Sequence, residues 1–351
     1  MGSPGDESPG TEQREGTGVA ATMRDVAERA GVSPSTVSRA FTRPEKVDDA
    51  TRRRIADLAA ELGYEPSRAA RTLKTGRTGA LGIVVPDLSN PFFPDVVRGV
   101  QHRARQHGYS VLLADSDEDP ATELELGRTL AHNVDALVLC SPRMSDAELA
   151  EVAALRPVVL VNRETSGPVP SVTIDNAGGA HQAVRHLVAL GHRRLGYVGA
   201  TGVSRSDAQR RAAFAAATAD AGVAGVTVGS FAPTVEGGAA AADEALLADV
   251  TAVLVYNDIM AVGLVGRLTR LGVDLPGRLS VVGFDDIAMA ALITPPLTTV
   301  RIPLRRAGAV AVDRLHAHLT GTAPAEPPAR LPTELVVRAS TAARPAGPEA
   351  P

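Results

Sequence analysis

Seven short apolar runs constrain this chain more than any other feature: LGIVV at 81–85, YSVLLA at 109–114, ALVLC at 136–140, PVVLV at 157–161, RLGYVG at 194–199, TAVLVY at 251–256 and LSVVGF at 279–284. Most are continuous rather than alternating, as strands covered on both faces must be. Between them lie stretches of helical periodicity at 94–107, 177–190, 208–221, 237–247 and 259–271. Such alternation builds a parallel sheet clad in helices, and the length from 79 to 340 predicts two α/β lobes rather than one. Gly108, Gly191, Gly222 and Gly272 follow predicted helices, where the backbone turns left-handed to end them.

With 351 residues and 44% apolar content, the chain can fill more than one core, so two or three domains are expected. No apolar run reaches the roughly 18–20 residues that span a bilayer, and Gly2 to Gly18 has no apolar secretory core. No membrane association and a cytoplasmic location are therefore expected. The single Cys140, inside DALVLC, reads as a buried and inert thiol. The sequence also speaks against enzymes of the usual α/β kinds. No G-x-G-x-x-G follows the first strand, and the only lysines, Lys46 and Lys74, lie in no phosphate-binding loop. The eight histidines show no H-E-x-x-H spacing, so neither metal nor cofactor is expected.

Ahead of the α/β region, TMRDVAERAGVSPSTVSRAF at 22–41 packs two short amphipathic helices into twenty residues. Val26, Ala27 and Ala30 share one face of the first, and Val37, Ala40 and Phe41 one face of the second. Thr22 caps the first helix with Asp25, Ala30-Gly31-Val32 turns the chain, and Ser33-Pro34 supplies an N-cap with proline at N1. The result is a helix-turn-helix. A third helix, about 49–62, offers Ile55, Leu58, Ala59 and Leu62 inward and Arg52, Arg53 and Arg54 at its edge. Pro34, Ser35, Thr36 and Arg39 face outward on the second helix. Short hydroxyls near a helix N-terminus suit phosphates, and arginine suits guanine edges in a major groove. From Thr22 to Thr78 there are 12 Arg or Lys against 8 Asp or Glu, although the whole chain carries −4. That asymmetry fits a nucleic-acid-binding head on an acidic body. The plainer reading, an αα-hairpin with solvated hydroxyls, leaves the basic third helix unused.

These segments, followed by TRRRIADLAAELGYEPSRAARTLKTGRTGALGIVVPDLSNPFF, resemble the lactose- and galactose-repressor (LacI/GalR) family nearly position by position. SVTIDNAGGAHQAVRHLVALGHRRLGYVG, VLVYNDIMAVGLV, LSVVGFDDI and PPLTTVRIP extend the resemblance to about residue 340. The resemblance implies a DNA-binding repressor: an all-α head with a hinge helix, then a two-lobed core like periplasmic sugar-binding proteins. It implies DNA contacts by Thr22, Ser33, Pro34, Ser35, Thr36 and Arg39. It also implies a hinge helix in PSRAARTLK, where Leu73 enters the minor groove beside Ala70 and Arg68 assists.

For the core, the resemblance implies a ligand site between the lobes. It would hold Phe92 and Phe93, Asn162, Arg163 and Asp175, then Ser204, Ser206, Arg210 and Phe231, and finally Asn257, Asp258 and Asp285. Carboxylates, amides and an arginine satisfy hydroxyls while an aromatic face covers a sugar ring, so a sugar or sugar derivative is the implied effector. Two departures stand out: Asn162 where Asp is common, and Ile302 where some relatives carry a polar side chain.

The expected domains are a disordered tail at 1–21, the head at 22–65, the hinge helix at 66–76 and the core at 79–340. Within the core one lobe takes about 79–175 plus 301–332, the other about 176–300 plus 333–340, and 341–351 forms a second tail. The partners expected are duplex operator DNA with a near-palindromic sequence, a second copy of the chain as homodimer, and the effector. A transporter-associated solute-binding protein would share the lobes but would have no use for residues 22–73.

Overall fold

Three helices, α1 (Met23–Ala30), α2 (Pro34–Thr42) and α3 (Asp49–Glu61), close the N-terminal unit around Val26, Ala27, Ala30, Val37, Ala40, Ile55, Ala59 and Tyr64. The computed structural model describes residues 21–64, 76–165, 167–202, 204–322 and 329–344, and the chain divides into units 1–76 and 77–351. The expected caps are present. Thr22 and Asp25 form a capping box, with the Thr22 N–H donating to Asp25 Oδ2 at 2.7 Å. Ser33 caps α2 ahead of Pro34, and Asp48 caps α3 through the amides of Ala50 and Thr51. Leu58 and Leu62, expected fully inside, are only half-buried at the rim of this core. Burying a Val or Ile side chain contributes about 1.5–3 kcal/mol, so so small a core also depends on its caps.

The second unit holds two six-stranded sheets. The first, all parallel, runs β11 (Ala329–Leu331), β5 (Ser171–Ile174), β4 (Val158–Val161), β3 (Ala136–Cys140), β1 (Ala80–Val85), β2 (Ser110–Asp115). Helices α4 (Phe92–Gln106), α5 (Pro120–Ala131), α6 (Asp146–Leu155) and α11 (Leu304–Thr320) cover it. The second runs β12 (Glu334–Val336), β10 (Thr298–Arg301), β9 (Ser280–Asp285), β8 (Ala252–Val255), β6 (Arg194–Ala200), β7 (Ala224–Phe231). It is parallel except for β12, which runs against β10. Helices α7 (Asn176–Ala189), α8 (Arg205–Asp220), α9 (Val235–Leu247) and α10 (Asp258–Arg270) flank it. The chain passes between lobes after β5, after β10 and after β11.

The central strands β1, β3, β4, β8 and β9 are buried along their whole length, as their unbroken apolar sequences demand. Cys140 lies in this interior, where burial pushes its thiol up to about 12 and keeps it inert. In the first lobe α4 and α11 touch backbone to backbone. A Cβ on Gly99 would lie 2.1 Å from the Arg305 carbonyl oxygen, and one on Gly308 would lie 2.3 Å from that of Val96. Gly108, Gly191, Gly222 and Gly272 all have positive φ at the expected helix ends.

Two expectations need correction. Strands β5, β7, β10, β11 and β12 and helices α5, α6 and α11 add to the elements read from sequence. Several of these strands have only three or four residues, and β7 (AGVTVGSF) is an edge strand too polar and glycine-rich to register as an apolar run. The second tail also begins later than 341. Thr341 bonds His186 and Thr298, the Ala342 N–H donates to Ser280, and the Arg344 N–H donates to the Leu190 carbonyl, so 341–344 belong to the second lobe. Among the described residues no helix is long and apolar enough to cross a membrane.

Candidate functional site

The head presents one polar face. Val37 and Ala40 turn α2 into the core, which leaves Ser33, Pro34, Ser35 and Arg39 exposed and Thr36 half-buried. Ser33 Oγ lies 2.7 Å from Ser35 Oγ and 2.9 Å from Thr36 Oγ1 and accepts from the Thr36 N–H, so three hydroxyls cluster at the helix N-terminus. Arg39 folds along the same face, with Nε donating to the Ser35 carbonyl and Nη2 lying 3.4 Å from Thr36 Oγ1. Hydroxyls and open N–H groups at a helix start, with a guanidinium one turn on, match the chemistry of phosphate contact beside base-edge contact. Thr22, at the start of α1, is exposed and engaged with Asp25. Arg68, Ala70 and Leu73, and with them the body of the expected hinge helix, lie outside the described residues.

The second unit carries a narrow cleft between its lobes. Asn90, Phe92, Phe93, Ser141, Arg143 and Asn162 line it from the first lobe, and Ser206, Arg210, Tyr256, Asn257 and Asp285 from the second. These residues sit at carboxyl ends of strands or in the turns and helix starts that follow, where open parallel sheets bind ligands.

The electrostatics are balanced within the site. Arg143 is neutralised by a two-pronged contact with Glu118, Nε to Oε2 at 2.6 Å and Nη2 to Oε1 at 2.9 Å. Its loop is held by buried Glu123, whose Oε2 accepts from the backbone N–H groups of Arg143 and Met144. Arg210 donates to Asn176 Oδ1 and the Tyr256 carbonyl and lies over the Phe284 ring, 3.7 Å from its centroid. Its Nη2 is 3.6 Å from Asp285 Oδ1, beyond hydrogen-bond reach, and that buried oxygen has no hydrogen-bond partner among the described residues. Burial raises the Asp285 carboxyl above the ordinary range against the opposing pull of Arg210. Burial, reinforced by the Asp285 charge, raises Asp258 as well. A buried acceptor left open is costly until a donor arrives, so Asp285 Oδ1 is the natural seat for a ligand hydroxyl.

Of the twelve residues expected at this site, Phe92, Phe93, Asn162, Ser206, Arg210, Asn257 and Asp285 line the cleft. Asn162 serves partly as a strut, with its amide nitrogen on Ser141 and its oxygen receiving Asn176. The other five do not line it. Arg163 donates to the Pro142 and Met144 carbonyls and to Asp146, while Asp175 caps α7 and binds Arg330. Asp258 is locked between the Ile287 N–H and the Thr299 hydroxyl. Ser204 caps α8 beside the cleft wall, and Phe231, at the end of β7, is half-buried. Ile302, the apolar departure, packs in the core. Asn90, Ser141, Arg143 and Tyr256 line the cleft although sequence reading passed over them. SN before PFF and SPR after ALVLC do sit in strand-end turns, the one signal that could have found them.

A helix-turn-helix unit joined to a two-lobed binding unit with a cleft at its strand ends defines a ligand-responsive DNA-binding regulator. The pattern described as "Bacterial regulatory proteins, lacI family" matches residues 22–67, and "Periplasmic binding protein-like domain" matches 184–341. The HTH-type transcriptional repressor CytR of Escherichia coli (strain K12) is 33% identical over 340 residues, 93% of this chain and 98% of CytR. The crystal structure of the Lac repressor dimer bound to operator and the anti-inducer ONPF superposes with a TM-score of 0.81 at 29% identity, covering 92% of this chain and 99% of that one. A transcriptional regulator CelR–cellobiose complex gives 0.68 at 30% identity, covering 91% and 99%. The chain belongs to the LacI family of transcriptional regulators, and it is not an enzyme.

Proposed function

We propose that this regulator binds a near-palindromic operator as a homodimer, one head per half-site, and is controlled by a sugar or sugar derivative in the interlobe cleft. Thr22, Ser33, Pro34, Ser35, Thr36 and Arg39 contact DNA, with Ser35 and Arg39 nearest the base edges, and Arg68, Ala70 and Leu73 act as the hinge on operator DNA. Residues 22–65 form the head, and the core from 79 onward carries the effector site on the cleft-lining residues.

The observation that carries the reading is the buried carboxylate oxygen of Asp285, which lines the cleft and has no hydrogen-bond partner among the described residues. A neutral polyol supplies donors to it, accepts from Arg210 and the asparagine amides, and rests a ring face on Phe92 or Phe93. The Lac repressor dimer on its operator and the cellobiose-bound CelR support the same assignment by likeness. Dimerisation is supported by the likeness to the Lac repressor dimer. A DNA-binding regulator acts in the cytoplasm. Selection of genomic fragments by the full chain, followed by titration of monosaccharides into the protein–DNA complex, tests this reading. A recurring inverted-repeat site whose occupancy changes with one sugar is expected, and equal retention of all fragments refutes it.

A further inference from the structure

Where the chain enters the second unit, its first three residues are fastened one after another to the first lobe. Arg77 donates to the Leu319 carbonyl near the end of α11. The Thr78 N–H and hydroxyl both donate to Asp135 Oδ1, at 2.6 and 3.0 Å, and the Gly79 N–H donates to Asp135 Oδ2 at 2.9 Å. The Gly79 carbonyl accepts from the Ser110 N–H at the start of β2, and the Asp135 N–H donates to the Ala80 carbonyl. Asp135 is 8% exposed, so one buried carboxylate engages both oxygens with three donors from two adjacent residues. Hydrogen bonds to a charged acceptor away from water are the strong ones, and three on one group resist both sliding and twisting of the segment they hold.

The sheet itself does not require this arrangement. The parallel ladder between β1 and β3 already runs from Leu81 beside Ala136 to Val84 beside Leu139, and the Asp135 side chain acts on the two residues ahead of it. At its other end β3, buried throughout, leads straight to the cleft: Ser141 and Arg143 line it, and Asp146 on the same loop accepts from Arg205 of the second lobe. Six steps of extended chain, about 20 Å, separate Asp135 from Ser141. We propose that Asp135 is a positioning residue for the DNA response. It fastens the exit of the hinge proposed at 66–76 to the strand whose far end lines the effector cleft, so operator preference and its change with effector both pass through it. This rests on the regulator reading above and names the residue that joins its two halves. Loss of the anchor gives the hinge slack while the cleft stays intact.

Full-length Asp135→Asn tests the proposal, since an amide keeps one acceptor and places a donor where the second stood, leaving at least one of the three N–H and O–H groups without its partner. Unaltered and variant chains are compared by gel retardation on the duplex that the unaltered chain selects and on random duplex, and by calorimetry with D-ribose, D-glucose, D-galactose and cellobiose. The variant is expected to bind the same sugar within about twofold of the unaltered affinity, while the sugar-induced shift in operator affinity falls from about 5- to 150-fold to below about threefold. Its preference for the selected duplex over random sequence is expected to fall at least about tenfold. Preference or shift unchanged in a folded variant overturns the proposal. Sugar affinity lost in step with DNA preference overturns it too, because a carboxylate that merely holds the lobe together weakens both alike. Should Asp135→Asn fail to fold, Thr78→Val, which removes the hydroxyl and keeps the backbone N–H, is expected to reduce the sugar-induced shift and the operator preference, and no reduction overturns the proposal. An unaltered chain that binds none of these sugars refutes instead the sugar reading, and the operator preference of the variants then decides the anchor by itself.

Discussion

Arg210 Nη2 and Asp285 Oδ1 face each other at 3.6 Å, each side chain 3% exposed, close enough for attraction and too far for a hydrogen bond. The gap leaves the carboxylate with an open acceptor in the place where a ligand donor can fill it. Asp285→Asn is expected to weaken effector binding by about 1.5–3 kcal/mol, the worth of a hydrogen bond to a charged group, with DNA binding of the effector-free protein retained. Calorimetry and gel retardation on the same preparation check both halves.

The same substitution carries a pH signature. Burial raises the Asp285 carboxyl in the folded chain, so the folded state keeps its proton to higher pH than the unfolded one. Stability drawn from this group therefore falls as pH rises from the ordinary carboxylate range through the raised one. Asparagine never ionises and escapes the loss. The melting temperature of Asp285→Asn minus that of the unaltered protein is expected to be larger at pH 8 than at pH 5, and an equal difference at both contradicts the burial argument.

Much of this was legible in the sequence, for reasons specific to each part. The caps at Thr22, Ser33 and the glycines ending helices are local chemistry, fixed by residues adjacent in the chain. The central strands were legible because burial on both faces demands unbroken apolar runs. The short edge strands and the packing of 341–344 depend on distant partners such as Leu190 and Ser280, which no local pattern shows. At the cleft, the family resemblance implied ligand contact by Asp258 and Asp175, yet Asp258 gives one oxygen to Thr299 and the other to Ile287, and Asp175 Oδ1 accepts from Gly178 and Arg330. Asp285, by contrast, was expected there and keeps an open oxygen. A sequence gives the carboxylate and not its partners.

Arg39 offers a test of the head. Its guanidinium lies along the exposed face of α2, where among the described residues it meets the Ser35 carbonyl and, at longer range, the Thr36 hydroxyl, contacts it can exchange for a base edge. Arg39→Ala is expected to relax preference at one position of each half-site by about 1–3 kcal/mol. Binding-site selection with both proteins checks this, and an unchanged preferred sequence places the base contacts elsewhere.

Gly99 tests the packing of the first lobe. A methyl group there would meet the Arg305 carbonyl at 2.1 Å, so α4 and α11 must separate along their contact. Gly99→Ala is expected to cost about 1–3 kcal/mol or more, read as a lower melting temperature in the presence and absence of effector.

A bridge between the two lobes offers a kinetic test. Asp146 Oδ1, on the first lobe, accepts from Arg163 of the same lobe and, at 3.1 Å, from Arg205 of the second. The Arg205 contact is half-exposed and worth no more than about 1 kcal/mol. Asp146→Asn is expected to speed effector dissociation about two- to fivefold while changing association little, as stopped-flow fluorescence would record.

Binding of the full chain to its selected genomic duplex, measured at fixed salt with and without the sugar it binds, decides whether one molecule joins a DNA-reading head to a sugar-sensing body. The expected result is tight, sequence-preferring binding that one monosaccharide shifts by about 5- to 150-fold, a coupling of about 1–3 kcal/mol. Affinity for that duplex equal to affinity for random sequence, with the sugar present or absent, contradicts it.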